Sequence, residues 1–238
     1  MKLDILAFGA HPDDTELGCS GTIIKHINKG YKVGVIDLTE GQLGSRGSVA
    51  ERYKESEKSS QIQGLSIRDN LKLEDGWFEH NRESMTLIIQ KLRHYQPEIV
   101  LANAIRDRHP DHGRGAKLVA EACFYSGLLK IETNYSGEKQ KEWRPKAVYH
   151  YIQDYHIDPD FIVDISEEWN TKIAAIMAFS SQFYNPNSTQ KETPISSKGF
   201  LDFLEGRARL FARPIDAEFG EGFTSSRTFG VKNLFDLT

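Results

Sequence analysis

The alternation of short apolar strands with amphipathic helices constrains this chain most. Residues 3–10 (LDILAFGA) are apolar and end at a turn, like a parallel strand buried on both faces. Residues 15–28 then carry Leu17, Ile23, Ile24 and Ile27 at helical spacing, and Gly30 follows as a stop. The pattern repeats with a strand at 32–38 (KVGVIDL), a polar helix at 48–63 and a weak strand near 71–73. A helix at 83–95 stops before Pro97, and a strand at 98–102 (EIVLA) precedes a helix at 113–125. Such alternation predicts an α/β fold: a Rossmann-like, mostly parallel sheet flanked by helices. Beyond residue 130 the pattern loosens. Strands are expected at 146–152 and 161–165, helices at 167–179 and 198–211, and polar loops at 134–145 and 184–197. The expectation is a single domain over 1–238, with a core at 1–130 and an irregular C-terminal extension at 131–238 that completes the sheet and pocket.

Composition narrows the partners. Thirty Lys and Arg against 34 Asp and Glu leave a net charge of -4, which argues against a general nucleic-acid binder. The start, MKLDILAFGAHPDD, meets acidic residues too soon for a signal peptide, and no apolar run reaches the ~20 residues of a membrane span. With two Cys in 238 residues, a disulfide scaffold is excluded and a reduced, cytoplasmic setting is expected, both thiols being packed.

Two motifs carry chemistry. Ala10-His11-Pro12-Asp13-Asp14 lies where the first strand meets the first helix, the ligand-binding end of an open α/β sheet. A dinucleotide site would carry glycines there; two carboxylates would repel phosphate. His and Asp in one turn suit a divalent metal, whereas helix capping explains one Asp at most. His109-Pro110-Asp111-His112 occupies the equivalent place after the 98–102 strand. Together the two turns offer the three ligands of a catalytic zinc with groups to spare. His26, His80, His94, His150 and His156 carry no such pattern. Arginines stand beside these motifs: Arg46 in a glycine-rich loop, Arg52 on the next helix, Arg106 and Arg108 at the second turn. They can grip a carboxylate in a bidentate fork. Arg68 and Arg82 read as surface charge. A non-haem iron oxygenase, which also uses two His and one carboxylate, and a non-catalytic sugar-binding domain are the competing readings.

AHPDD with a later HPDH resembles the LmbE-like (PIG-L) zinc deacetylases. The stretches ELGCSGT (16–22), GYKVGVIDLTEGQLGSRG (30–47), EIVLANAIRDRHPDHGR (98–114), GLLKIET (127–133), WRPKAVYHY (143–151) and SQFYNPNS (181–188) resemble the branch serving bacillithiol biosynthesis in bacteria. That resemblance implies a metal-dependent hydrolase releasing acetate from N-acetylglucosaminyl malate, with a bacillithiol S-conjugate amidase as the near alternative. It implies one Zn2+ per chain on His11, Asp14 and His112, with Fe2+ the alternative ion. It makes Asp13 the general base and His109 the acid or oxyanion partner, and Asp111 orients a histidine. Arg52 and Asp75 meet substrate, Asp75 through sugar hydroxyls; Arg46 and Arg108 join them from their positions. It also implies a homo-oligomer, trimer or hexamer.

Overall fold

In a computed structural model that describes residues 1–237, the elements run in chain order. They are β1 (Ile5–Gly9), α1 (Asp14–Asn28), β2 (Val33–Thr39), α2 (Val49–Gln63), β3 (Ile67–Leu73), α3 (Arg82–Tyr95), β4 (Ile99–Ala102) and α4 (Pro110–Ser126). A small hairpin, β5 (Asn134–Tyr135) and β6 (Glu138–Lys139), leads to β7 (Ala147–Tyr151), β8 (Phe161–Asp164), α5 (Trp169–Met177), α6 (Lys198–Ala212) and β9 (Gly220–Thr224).

Among the described residues seven strands form one sheet in the order β3-β2-β1-β4-β7-β9-β8. The pairs from β3 to β7 are parallel, and β9 runs antiparallel to both β7 and β8. The fold is therefore the expected Rossmann-like α/β arrangement. Alternate residues of β1 and β2 feed two cores. Leu6, Phe8, Ile36 and Leu38 pack with Ile88, Leu92, Leu118 and Val119 on the α3–α4 face. Ile5, Ala7, Val33 and Val35 pack with Cys19, Ile23 and Tyr151 on the α1 face. Each fully buried side chain of this size contributes roughly 1.5–3 kcal/mol, so both faces hold the central strands in register. Cys19 and Cys123 are buried free thiols, as expected. No helix of the described residues is long and apolar enough to cross a membrane.

Three differences from the sequence reading have local causes. Helix α4 starts at Pro110, three residues before the expected Gly113, because proline fits the first helical position. Strand β3 spans seven residues rather than three. Its charged Arg68 hides the pattern: Arg68 pairs with Glu16 and Asp37, while Ile67, Leu71 and Leu73 pack against the α3–α4 core. Strand β9, Gly-Glu-Gly-Phe-Thr, has no strand signature; it exists because β7 and β8 supply ladder partners on both sides.

Candidate active site

The chain leaves β1 for β2 on one side, whereas β4 pairs on the other side of β1. The switch point of this sheet lies between β1 and β4, where open α/β folds bind ligands. Both histidine motifs emerge there. His109 is the N-cap of α4, so Asp111 and His112 stand in its first turn. Helix α1 begins at Asp14, and Asp13 makes no side-chain capping bond. Asp14 instead accepts from the His11 amide at 2.9 Å. Capping therefore does not account for the acidic pair.

Asp14 stands between two imidazoles. Its Oδ2 is 3.6 Å from His11 Nδ1 and its Oδ1 is 3.1 Å from His112 Nε2. Asn103 and Gln153 each donate to this carboxylate at 3.0 Å and fix its orientation. The far nitrogen of each imidazole meets another carboxylate. His112 Nδ1 is 2.5 Å from Asp107 Oδ2; His11 Nε2 is 3.0 Å from Asp75 Oδ1 and 3.3 Å from Asp111 Oδ2. A proton held on each far nitrogen leaves the near lone pair aimed at Asp14, the arrangement that metal-ligating histidines adopt. Ring nitrogens of His11, His109 and His112 lie within 4.8 Å of one another, and a second grouping brings His11 together with Asp75 and Asp111. Asp75 and Asp111 already accept from the amides of Leu43 and Gly76, which suits orientation of His11 better than metal ligation.

Electrostatics points the same way. Burial depresses the imidazoles, but Asp111, Asp14 and Asp75 outweigh it and hold His11 well above its ordinary range. Against the same burial, Asp14 and Asp107 raise His112 to about 9. Burial opposes the ionised Asp14, yet His112 and His11 keep it well below the usual carboxylate range. Fixed negative charge that loads protons onto buried imidazoles will exchange them for a cation, so the donor set fits a divalent metal.

His109 differs. Burial and the neighbouring His11 and His112 lower it, which favours the neutral ring. Its Nδ1 accepts from the Asp111 amide at 3.3 Å, so the neutral ring carries its proton on Nε2. Burial and the two nearby imidazoles thus make His109 a neutral hydrogen-bond donor.

Asp13 is buried at a φ of 113°, a conformation costing on the order of 1–3 kcal/mol for a residue with a side chain. Arg52 holds the turn by donating from Nη1 to the Pro12 carbonyl and, at 3.1 Å, to Asp13 Oδ2. Gln182 accepts from Arg52 Nη2 at 2.9 Å and ties this corner to the 181–188 stretch. Burial pushes the Asp13 carboxyl up to about 7 despite the Arg52 charge.

A cavity of about 200 Å³ is lined by His11, Asp13, Asp14, Arg52, Asp75, Arg108, His109 and His112, with Leu43 and Ile195 among its apolar walls. Asp75 thus reaches the pocket wall, but its oxygens are spent on His11 and on the Leu43 amide rather than reserved for a sugar. Arg108, at the mouth, pairs with Asp154 at 2.6 Å. Arg46 is absent from this lining; it is buried and donates to Ser188 at 2.8 Å. Arg68, read as surface charge, is instead buried between Glu16 and Asp37, bonding Glu16 Oε1 at 2.5 Å and Asp37 Oδ2 at 2.9 Å. Asn103, Asp107, Gln153 and Gln182 were not singled out from the sequence. Only Asp107, inside IRDRHPDH, carried a local signal, its place beside the second motif.

Residues 6–123 match the PIG-L family, described as GlcNAc-PI de-N-acetylase. The diacetylchitobiose deacetylase of Thermococcus kodakarensis is 30% identical over 189 residues, 75% of this chain and 70% of that protein. The chain belongs to the PIG-L family. A second relative, the 4-oxalmesaconate hydratase of Pseudomonas putida, is 26% identical over 87% of this chain and 89% of its own length. Among solved structures, the conserved protein TT1542 of Thermus thermophilus superposes with a TM-score of 0.85 at 32% identity, covering 97% of this chain and 98% of that one. The N,N'-diacetylchitobiose deacetylase of Pyrococcus horikoshii follows at 0.76 and 26%, covering 98% and 88%. The PIG-L match spans both histidine motifs and ends before β7.

Proposed function

We propose that this chain is a zinc-dependent N-deacetylase acting on N-acetylglucosaminyl malate, releasing acetate and glucosaminyl malate in bacillithiol biosynthesis. The observation that carries the deacetylase reading is a cation-seeking trio, His11 Nδ1, Asp14 and His112 Nε2, beside a separate buried carboxylate on Asp13. In this reading the trio holds one zinc per chain, and the ligand chemistry leaves Fe2+ as the alternative ion. When bound, the ion polarises the acetyl carbonyl and makes nearby water more acidic.

The remaining steps belong to the chain's own groups. Asp13 removes the proton of the attacking water. Ligand and base are separate side chains: Asn103 and Gln153 fix Asp14, and Arg52 fixes Asp13. His109 donates from Nε2 to the carbonyl oxygen as it gains negative charge, a contribution of roughly 3–4 kcal/mol for one such donor. The proton that Asp13 took from the water then passes to the leaving amine, since a neutral His109 keeps its single proton on Nε2. Asp111 and Asp75 keep His11 in the needed tautomer.

The malate part rests on the sequence resemblance and on Arg52 and Arg108 lining the pocket, cations suited to an anionic aglycone. Arg46 stands behind them on Ser188. A bacillithiol S-conjugate amidase shares the chemistry and differs in aglycone. The hydratase relative supports a second reading, hydration of a substrate such as 4-oxalmesaconate. Turnover of the purified chain on these three substrate types separates them: the proposal expects acetate from the acetylated sugar malate, and faster turnover of either other substrate would displace it. The reading includes a homo-oligomer, trimer or hexamer, measurable by light scattering. It also includes a cytoplasmic setting, which the two buried free thiols support.

A further inference from the structure

Helix α1 carries Asp14 in its first turn, and a buried ion pair is inserted into its flank. Lys172 of α5 and Glu221 of β9 meet at 2.6 Å, each side chain 4% exposed. Lys172 Nζ also donates to the carbonyls of Glu16 and Leu17, at 3.0 and 3.1 Å. Glu221 accepts from the amides of Gly21 and Thr22, at 2.9 and 2.7 Å. The ammonium thus has three acceptors, and each carboxylate oxygen has a donor. In a regular α-helix the Leu17 carbonyl and the Gly21 amide pair with each other; here both face an external charge. Arg207 of α6 adds a third grip, donating to the Leu17 carbonyl at 3.2 Å.

The glycines fit this arrangement. A Cβ on Gly18 would lie 2.1 Å from the Tyr151 ring, and one on Gly21 would lie 2.7 Å from Ile165. Small residues at these two positions let α1 press against β7 and the end of β8. The effect reaches the site through one residue, because the Leu17 amide donates to the Asp13 carbonyl at 3.0 Å while its carbonyl receives Lys172. Burying an ion pair seldom adds net stability over apolar residues of similar size, so its placement calls for another role.

We propose that Lys172 and Glu221 are positioning residues that set the pitch of the first turn of α1 and thereby the placement of Asp13 and Asp14 against His11 and His112. The proposal rests on the reading of those four residues as the catalytic site. It gives the segment beyond the family match a function: α5 and the out-of-order strand β9 exist in part to clamp the metal-bearing helix.

Removing one charge would strand the other in the interior, so the double variant K172M/E221Q is the test. Circular dichroism first establishes that it folds. Hydrogen exchange is then read on the metal-free protein, together with cobalt(II) affinity, the cobalt d–d spectrum, kcat and KM. The expected result is faster exchange at residues 15–22 with β2 unchanged, a shifted cobalt spectrum, and cobalt affinity and kcat each lowered about tenfold or more, with KM nearly constant. A folded variant with wild-type exchange in α1, wild-type cobalt spectrum and wild-type kcat would overturn the proposal. Should the double variant not fold, E221D, which keeps the charge but withdraws it by one methylene, is judged by the same readouts. If the wild-type chain itself binds no cobalt, the metal reading fails, and exchange in α1 alone decides the clamp.

Discussion

Asp107 offers the sharpest single perturbation. Its side chain is fully buried, Oδ2 lies 2.5 Å from His112 Nδ1, and Oδ1 accepts from the Tyr155 amide at 2.7 Å. In Asp107→Asn the amide oxygen must stay on the Tyr155 N–H, so the NH2 group is turned toward His112. A donor then faces Nδ1, and the neutral ring moves its proton to Nε2, the nitrogen that faces Asp14. The lone pair needed for a metal is lost unless that proton is expelled. A hydrogen bond to a charged group is worth about 1.5–3 kcal/mol, and each 1.4 kcal/mol is tenfold, so metal affinity should fall roughly 10–100-fold. Competition with a chromophoric chelator reads this directly, and kcat/KM at saturating metal should recover part of the loss. Affinity within twofold of wild type would refute the argument that Asp107 sets the tautomer of His112.

Further consequences are equally concrete. Asp13→Ala should bind one metal per chain as the wild type does while deacetylation falls by about 10²–10⁴-fold; retained activity would remove Asp13 from the base role. Arg68→Met leaves Glu16 and Asp37 buried without a counter-charge and should cost roughly 3–5 kcal/mol in denaturant unfolding, whereas a loss under 1 kcal/mol would restore the surface reading of this residue. Arg108→Ala should raise KM for an anionic substrate with kcat nearly unchanged, the mark of uniform binding. Arg46→Ala, outside the pocket lining, should move KM less than Arg108→Ala does; the reverse order would return Arg46 to the substrate site.

The first half of the fold was readable because its signals are local. Buried parallel strands such as 98–102 are continuous apolar runs, and α3 shows Ile88, Ile89 and Leu92 at helical spacing ahead of Pro97. The polar stretch at 48–63, rich in Glu and Lys, became α2. The motif residues were readable for the same reason: His11 and Asp14, or His109 and His112, lie within one turn of each other. What could not be read depends on partners far along the chain. Arg68 looks like any strand-surface charge until Glu16, 52 residues away, is brought beneath it. Gln153 and Gln182 are unremarkable polar residues whose meaning comes only from Asp14 and Arg52. Strand β9 is a glycine-rich pentapeptide whose conformation is imposed by β7 and β8. Asp75 could be placed near the pocket, but its bond to His11 could be seen only once β3 and β1 were aligned with β2 between them.

The central claim is that the two histidine turns build one metal site that hydrolyses an N-acetyl sugar. Acetate release from N-acetylglucosaminyl malate, measured with metal content before and after chelation, tests it most directly. The account predicts release that tracks one zinc per chain, vanishes on chelation and returns when zinc is restored. Undiminished release from fully metal-free protein, or no release from the zinc-loaded chain, would contradict it.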